Sequence, residues 1–184
     1  MEHGVDYIEL RLALITATKK AFGHVSSILH SEKLYAFGLY TNAEGSYLYP
    51  TANTEEGLLR KAHSYSKIYS LSQSKKILRW NPSNWDYHLE GQEYFEEVNR
   101  ILNAGWSRDY GEFIPESKII FQICMNVLSL LERESFFGSG KTREFILINI
   151  FKGSQGTEEL VSQARILNSL DRCNQFEKEL RPVL

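Results

Sequence analysis

Two short segments, Leu34 to Tyr40 and Phe145 to Phe151, are apolar on both of their alternating faces, apart from Asn149 in the second. This pattern narrows the possible folds more than any other feature of the chain. Successive strand residues point to opposite sides, so a strand that is apolar on both sides must be covered on both. The second segment therefore reads as a central strand.

Most of the rest carries a helical period. Val5, Ile8, Leu12, Ile15, Phe22, Val25 and Leu29 recur at steps of three, four or seven, which predicts a long amphipathic first helix with a break near Gly23. After the first strand, Asn42 to Gly45 supplies turn chemistry, and Ser46 to Tyr49 reads as the returning strand of a hairpin, ended by Pro50. Asn53, with Glu56 three residues on, predicts the cap of a second helix continuing through Leu58, Leu59, Ala62, Tyr65 and Tyr69. Lys76 to Trp80 reads as a short strand. A helix from Gln92 to Leu102 turns Phe95, Val98, Ile101 and Leu102 inward. Another begins at Pro115 and buries Ile119, Ile120, Ile123, Cys124, Val127, Leu128 and Leu131. Thr157 caps a helix through Leu167, and a last one spans Asp171 to Leu180. The class is α+β: a small, largely antiparallel sheet of about three to five strands packed with amphipathic helices. With 184 residues, 42% of them hydrophobic, and no linker-like tract, the expectation is a single domain over residues 1–184.

Charge and composition exclude several functions. Twenty-one basic against twenty-three acidic side chains, with a pI near 6.2, give no overall pull towards polyanions, so nucleic acid is disfavoured as a partner. Glu2, Asp6 and Glu9 are the wrong sign for a secretory leader, and no apolar run approaches the ~18 residues of a membrane span. We expect a cytoplasmic protein without membrane attachment. Cys124 and Cys173 are not spaced as metal ligands and are expected as reduced thiols. The histidines (His3, His24, His30, His63, His88) form no ligand pattern, so neither metal nor cofactor is expected. Gly138-Ser139-Gly140-Lys141-Thr142 copies the end of a phosphate-binding loop, but it follows a helix and enters a strand, the reverse of the order phosphate binding needs. Ser135 also stands where the motif's first glycine belongs.

The candidate binding surface is the polar block from Trp80 to His88, which holds two of the three tryptophans. Trp80, Asn84, Trp85, Asp86, Tyr87 and His88 combine aromatic anchors with hydrogen-bonding groups, as interface hot spots do. The competing reading folds both indoles back over the sheet as a plug. The stretch Gly57 to Trp85 holds six basic residues (Arg60, Lys61, Lys67, Lys75, Lys76, Arg79) and no acid, whereas Asp86 to Glu116 holds eight acids and two arginines. Such segments either meet an oppositely charged partner or face each other. Three functions follow: a non-catalytic protein-binding module, a small enzyme using Asp86 or His88 as acid or base, and, more weakly, a nucleic-acid accessory.

Leu34 to Thr41, Thr51 to Leu58, the Trp80-Asn81-Pro82-Ser83-Asn84-Trp85 element with Asp86 and Tyr87, and Phe137-Gly138 before a strand together resemble an uncharacterised, mainly bacterial group, the domain-of-unknown-function family numbered 4303. The resemblance runs from the first helix to about Leu180. It implies no catalytic residue or cofactor. It does imply a small stand-alone protein, and some family members accompany polymorphic toxin systems, whose immunity proteins bind and block a toxin. A protein partner, a toxin among the candidates, is therefore the expectation.

Overall fold

A computed structural model describes residues 5–104, 113–153 and 155–180. Helix α1 (Tyr7–Ile28) leads into β1 (Leu34–Thr41) and β2 (Tyr49–Thr54). Helices α2 (Glu55–Ser64) and α3 (Leu71–Leu78) follow, then a short 3-10 turn at Pro82–Asn84 and β3 (Tyr87–His88). Next come α4 (Glu96–Ala104), α5 (Phe113–Arg133), α6 (Gly140–Phe145), β4 (Leu147–Lys152), α7 (Thr157–Leu167) and α8 (Leu170–Leu180). The strand order is β3-β2-β1-β4, with β1–β2 and β2–β3 antiparallel and β1–β4 parallel. The α+β expectation holds, with a sheet that is mixed rather than wholly antiparallel.

The two-sided strands have the cover they require. Phe37, Leu39, Ile148 and Ile150 belong to one core with α1, α4 and α5. Tyr35, Leu147 and Phe151 belong to the other, with residues of α2, α3, α7 and α8. Gly38 stands opposite Asn149 in the parallel pair, and a Cβ there would lie 2.0 Å from the Asn149 carbonyl oxygen, so only glycine lets the two strands approach this closely.

Several expectations are corrected. Helix α1 passes Gly23 unbroken and buries Leu10, Leu14, Ala17, Thr18, Ala21 and Val25, leaving Ile8 77% exposed. The stripe mixes Leu10, Leu14 and Val25 with the small Ala17, Thr18 and Ala21; of the expected face Val25 and Leu29 are buried, whereas Ile8 and Leu12 are not. Pro50 does not end a strand but lies within β2. Its carbonyl accepts from Leu89 N–H on the β3 side, so its missing donor also faces that side, just past the last residue of the two-residue β3, and no β1–β2 bond is lost. The cap of α2 is Thr54, whose hydroxyl accepts from Gly57 N–H. Lys76 to Trp80 is the end of α3 and its exit rather than a strand, and α3 starts on a reciprocal Ser70–Gln73 capping box. Helix α5 starts two residues before Pro115, which still falls where backbone donors lack helical partners. The glycine-rich string 138–142 runs into the short helix α6 instead of directly into a strand. Gly156, not Thr157, caps α7.

The largest correction concerns β4, which is an edge strand, not a central one. Its outward N–H groups are taken by side-chain carboxamides. Ile148 N–H donates to Asn168 Oδ1 (2.8 Å), Ile150 N–H to Asn149 Oδ1 (3.0 Å) and Lys152 N–H to Gln155 Oε1 (3.2 Å). Asn168 Nδ2 in turn donates to the carbonyls of Ile148 (2.8 Å) and Ala164 (2.9 Å), so one side chain imitates a neighbouring strand and ties it to α7. Each buried backbone group left without a partner costs about 1–3 kcal/mol. Asn168→Ala should therefore lower unfolding free energy by about 2–5 kcal/mol in urea titrations, and Asn168→Asp, which cannot donate to either carbonyl, should not restore it.

Candidate functional site

The Trp80–His88 connection is anchored at its start by Arg79, the residue that closes α3. The Arg79 carbonyl accepts from both Tyr35 OH (2.7 Å) and Trp85 Nε1 (3.0 Å). Its guanidinium lies over the Tyr35 ring at 4.4 Å, grips both Glu55 oxygens (2.6 and 3.0 Å) and donates to Glu179 (3.1 Å). Asn53 Nδ2 donates to Tyr35 OH (2.9 Å). One arginine thus joins β1, the first turn of α2, the end of α3 and α8. Burial opposes ionisation of Glu55, but the fork of Arg79 outweighs it and holds the carboxyl below its ordinary range. Burial raises the Tyr35 phenol.

Both indoles belong to this knot. Trp85 is 4% exposed and meets the Phe151 ring edge-on at 4.9 Å. Trp80 is half-buried, 4.7 Å from the Phe176 ring, and its Nε1 donates to Glu179 (3.1 Å). The guanidinium of Arg172 lies 5.4 Å from its ring. The indoles act here as the plug of the competing reading, directed at the sheet and α8.

Asp86 and Tyr87 enter a second cluster at the same end of the sheet. Arg60 of α2 donates to Asp86 (2.8 Å) and to both oxygens of Glu32, in the turn between α1 and β1. Glu32 also accepts from Thr54 Oγ1 (2.6 Å) and Tyr87 OH (3.1 Å). Its hydrogen bonds from Arg60, ahead of those from the two hydroxyls, pull its pKa down to about 2 against the opposing effect of burial. Asn84 accepts a long 3.4 Å bond from Tyr65 OH. His88 lies apart, with Nδ1 3.1 Å from Thr51 Oγ1 and its ring 4.6 Å from that of Tyr40; burial lowers its pKa.

The structure therefore brings Asp86 and Tyr87 together, but on an arginine and not around a reacting centre. The Asp86 carboxylate is occupied by Arg60, and His88 has a hydroxyl and a phenol ring beside it in place of a carboxylate that would orient it. Cys124 is buried and its thiol is pushed up to about 12, far from a reactive thiolate. Among the described residues, no group of three metal-ligating side chains converges. No described helix is long and apolar enough to cross a membrane.

What the connection does hold in place is the α2–α3 pair. Helix α2 buries only Gly57, Leu58 and Ala62, and α3 only Ser74 and Leu78. Every residue from Ser66 to Gln73 is exposed, Ile68 at 71%, with Tyr69 and Leu71 beside it and Ile77 at 55% on α3. Lys67 and Lys76 stand exposed among them. Neither is in an ion pair among the described residues. Sequence reasoning marked the charge of this stretch but passed over Glu32, Glu55, Glu179 and Tyr35, whose partners lie up to 100 residues away and leave no local signal.

A family model described as a domain of unknown function (DUF4303) matches residues 14–169. No curated protein and no solved structure matches the chain.

Trp85→Ala should cost about 3–5 kcal/mol of stability in chemical denaturation, as expected for emptying a buried aromatic site. Glu32 offers a pH test. Its folded value near 2 lies below its ordinary 4.5, so its stabilisation is complete above about pH 4.5 and is lost as pH falls through about 2. Urea midpoints measured down this range should fall less steeply for Glu32→Gln than for the parent chain.

Proposed function

The chain belongs to the family described as a domain of unknown function (DUF4303), and we propose that it is a non-catalytic protein-binding module that grips an acidic protein through the outward face of α2–α3. The observation that carries this reading is the coincidence of exposed apolar side chains (Ile68, Tyr69, Leu71, Ile77) with lysines of a single sign, in a stretch from Gly57 to Trp85 that contains no acid. Exposed apolar groups rimmed by charge are the usual composition of a contact surface. Like-signed lysines would speed encounter with an acidic partner and disfavour basic ones.

In this reading the tryptophan block contributes indirectly. Trp80 and Trp85 form the foundation, Asp86 and Tyr87 brace it through Arg60 and Glu32, and Asn84 and His88 lie at its margin. The mechanism is occlusion: a rigidly seated helix pair covers part of the partner. A toxin blocked in this way is one such partner, the kind implied by the family resemblance. The proton-transfer alternative on Asp86 or His88 gains no support from their surroundings, a guanidinium on the first and a hydroxyl and phenol ring beside the second.

The test is co-purification with the products of adjacent genes at low salt. The parent chain should retain a partner, and raising the salt should weaken retention because exposed charges are screened over about 8–10 Å. Lys67→Glu combined with Lys76→Glu should abolish retention, and Ile68→Asp should do so at any salt, with circular dichroism unchanged. Retention indifferent to all three substitutions would exclude this face.

A further inference from the structure

At the end of the sheet where β1 and β4 begin, a cleft of about 700 Å³ opens between the second half of α1, the turn into β1, and the segment from Phe136 to Ile146. Its walls are mainly apolar: Phe22, Leu29, Leu34, Phe136, Phe145 and Ile146. Among them Phe22 packs edge-on against Phe37 (5.0 Å) and Phe137 (5.1 Å), which makes the lining continuous with the core. Phe145 remains 47% exposed although the chain has apolar company for it here. The volume falls within the ~300–1,000 Å³ of pockets that enclose small ligands.

The charged groups of the lining define the charge of an occupant. Lys33 and Lys141 line the cleft, are exposed, and are in no ion pair among the described residues. Glu32 is the one carboxylate in the lining, and both its oxygens are already held by Arg60, Thr54 and Tyr87, so it does not serve the lysines. An apolar slot with two unpaired lysines in its lining matches a molecule with a hydrocarbon body and one anionic end. The glycine-rich string has a different part here, since Gly138, Lys141 and Thr142 line the cleft. We propose that the cleft binds a medium-chain fatty carboxylate, with the alkyl chain against the phenylalanines and the carboxylate between Lys33 and Lys141.

This site is independent of the α2–α3 face, so the two readings fail separately. Decanoate titrated into the full chain by calorimetry, with amide shifts followed by NMR, should bind saturably at one site, and decanol, which lacks the charge, at least tenfold more weakly. Lys33→Glu combined with Lys141→Glu should cut decanoate affinity at least tenfold and leave decanol unaffected. Ser26→Trp, placed from an exposed position of α1 into the cleft, should abolish both, with circular dichroism confirming the fold of each variant. Equal binding of decanoate and decanol, or decanoate binding indifferent to the lysines, would overturn the proposal. So would self-association that Ser26→Trp abolishes without any decanoate binding, because the cleft would then belong to a second copy.

Discussion

Strand β1 is enclosed on four sides, by β2 and β4 along its edges and by helices against both faces, and the rest of the molecule is arranged around that enclosure. Burying both faces of one strand makes two cores, so helices must be distributed to both sides of the sheet. Pairing β1 with β4 in parallel brings the starts of both strands to one end, and the antiparallel pairing of β1 with β2 brings the end of β2 there as well. Leu34 opposite Thr54 is the register that sets Glu32 beside Thr54 and within reach of Arg60. The ionic cluster and the phenylalanine-lined cleft share this end as a consequence of strand direction.

The sequence carries the parts of this plan that depend on local pattern. Both faces of β1 are apolar within eight residues, and α5 repeats its buried side chains at Ile120, Cys124, Val127, Leu128 and Leu131, so each element can be read alone. The edge position of β4 could not be read this way, because its substitute neighbour is Asn168, twenty residues from Ile148. Pro50 misled because proline ends a strand only where its missing donor would break a ladder bond, and here its nitrogen faces the β3 side one residue beyond the pairing of Thr51 with His88. For α3 a usable signal was present in Ser70 and Gln73, and the reading of Lys76 to Trp80 as a short strand competed with it. The burial of Trp80 and Trp85 was beyond a local reading, since the rings that cover them, Tyr35, Phe151 and Phe176, come from three distant elements.

The basic stretch from Gly57 to Trp85 separates by residue type once folded. Its two arginines are consumed internally, Arg60 by Glu32 and Asp86, Arg79 by Glu55 and Glu179. Among the lysines, Lys67 and Lys76 are exposed. The planar guanidinium can satisfy two carboxylates at once and tolerates partial burial, whereas an ammonium keeps its hydration shell. A net count of charge along the sequence therefore overstated what is free to attract a partner.

The carboxamide covering of β4 has a consequence for how this protein keeps company. Open strand margins are templates on which other chains can extend a sheet, the first step towards fibrillar deposits and exchanged subunits. Here Asn168, Asn149 and Gln155 occupy the outward donors of β4, so on that flank the sheet cannot be lengthened by an incoming strand. Recognition there is left to helical surfaces, and a crowded, slowly folding population of this chain has one less route to coalescence.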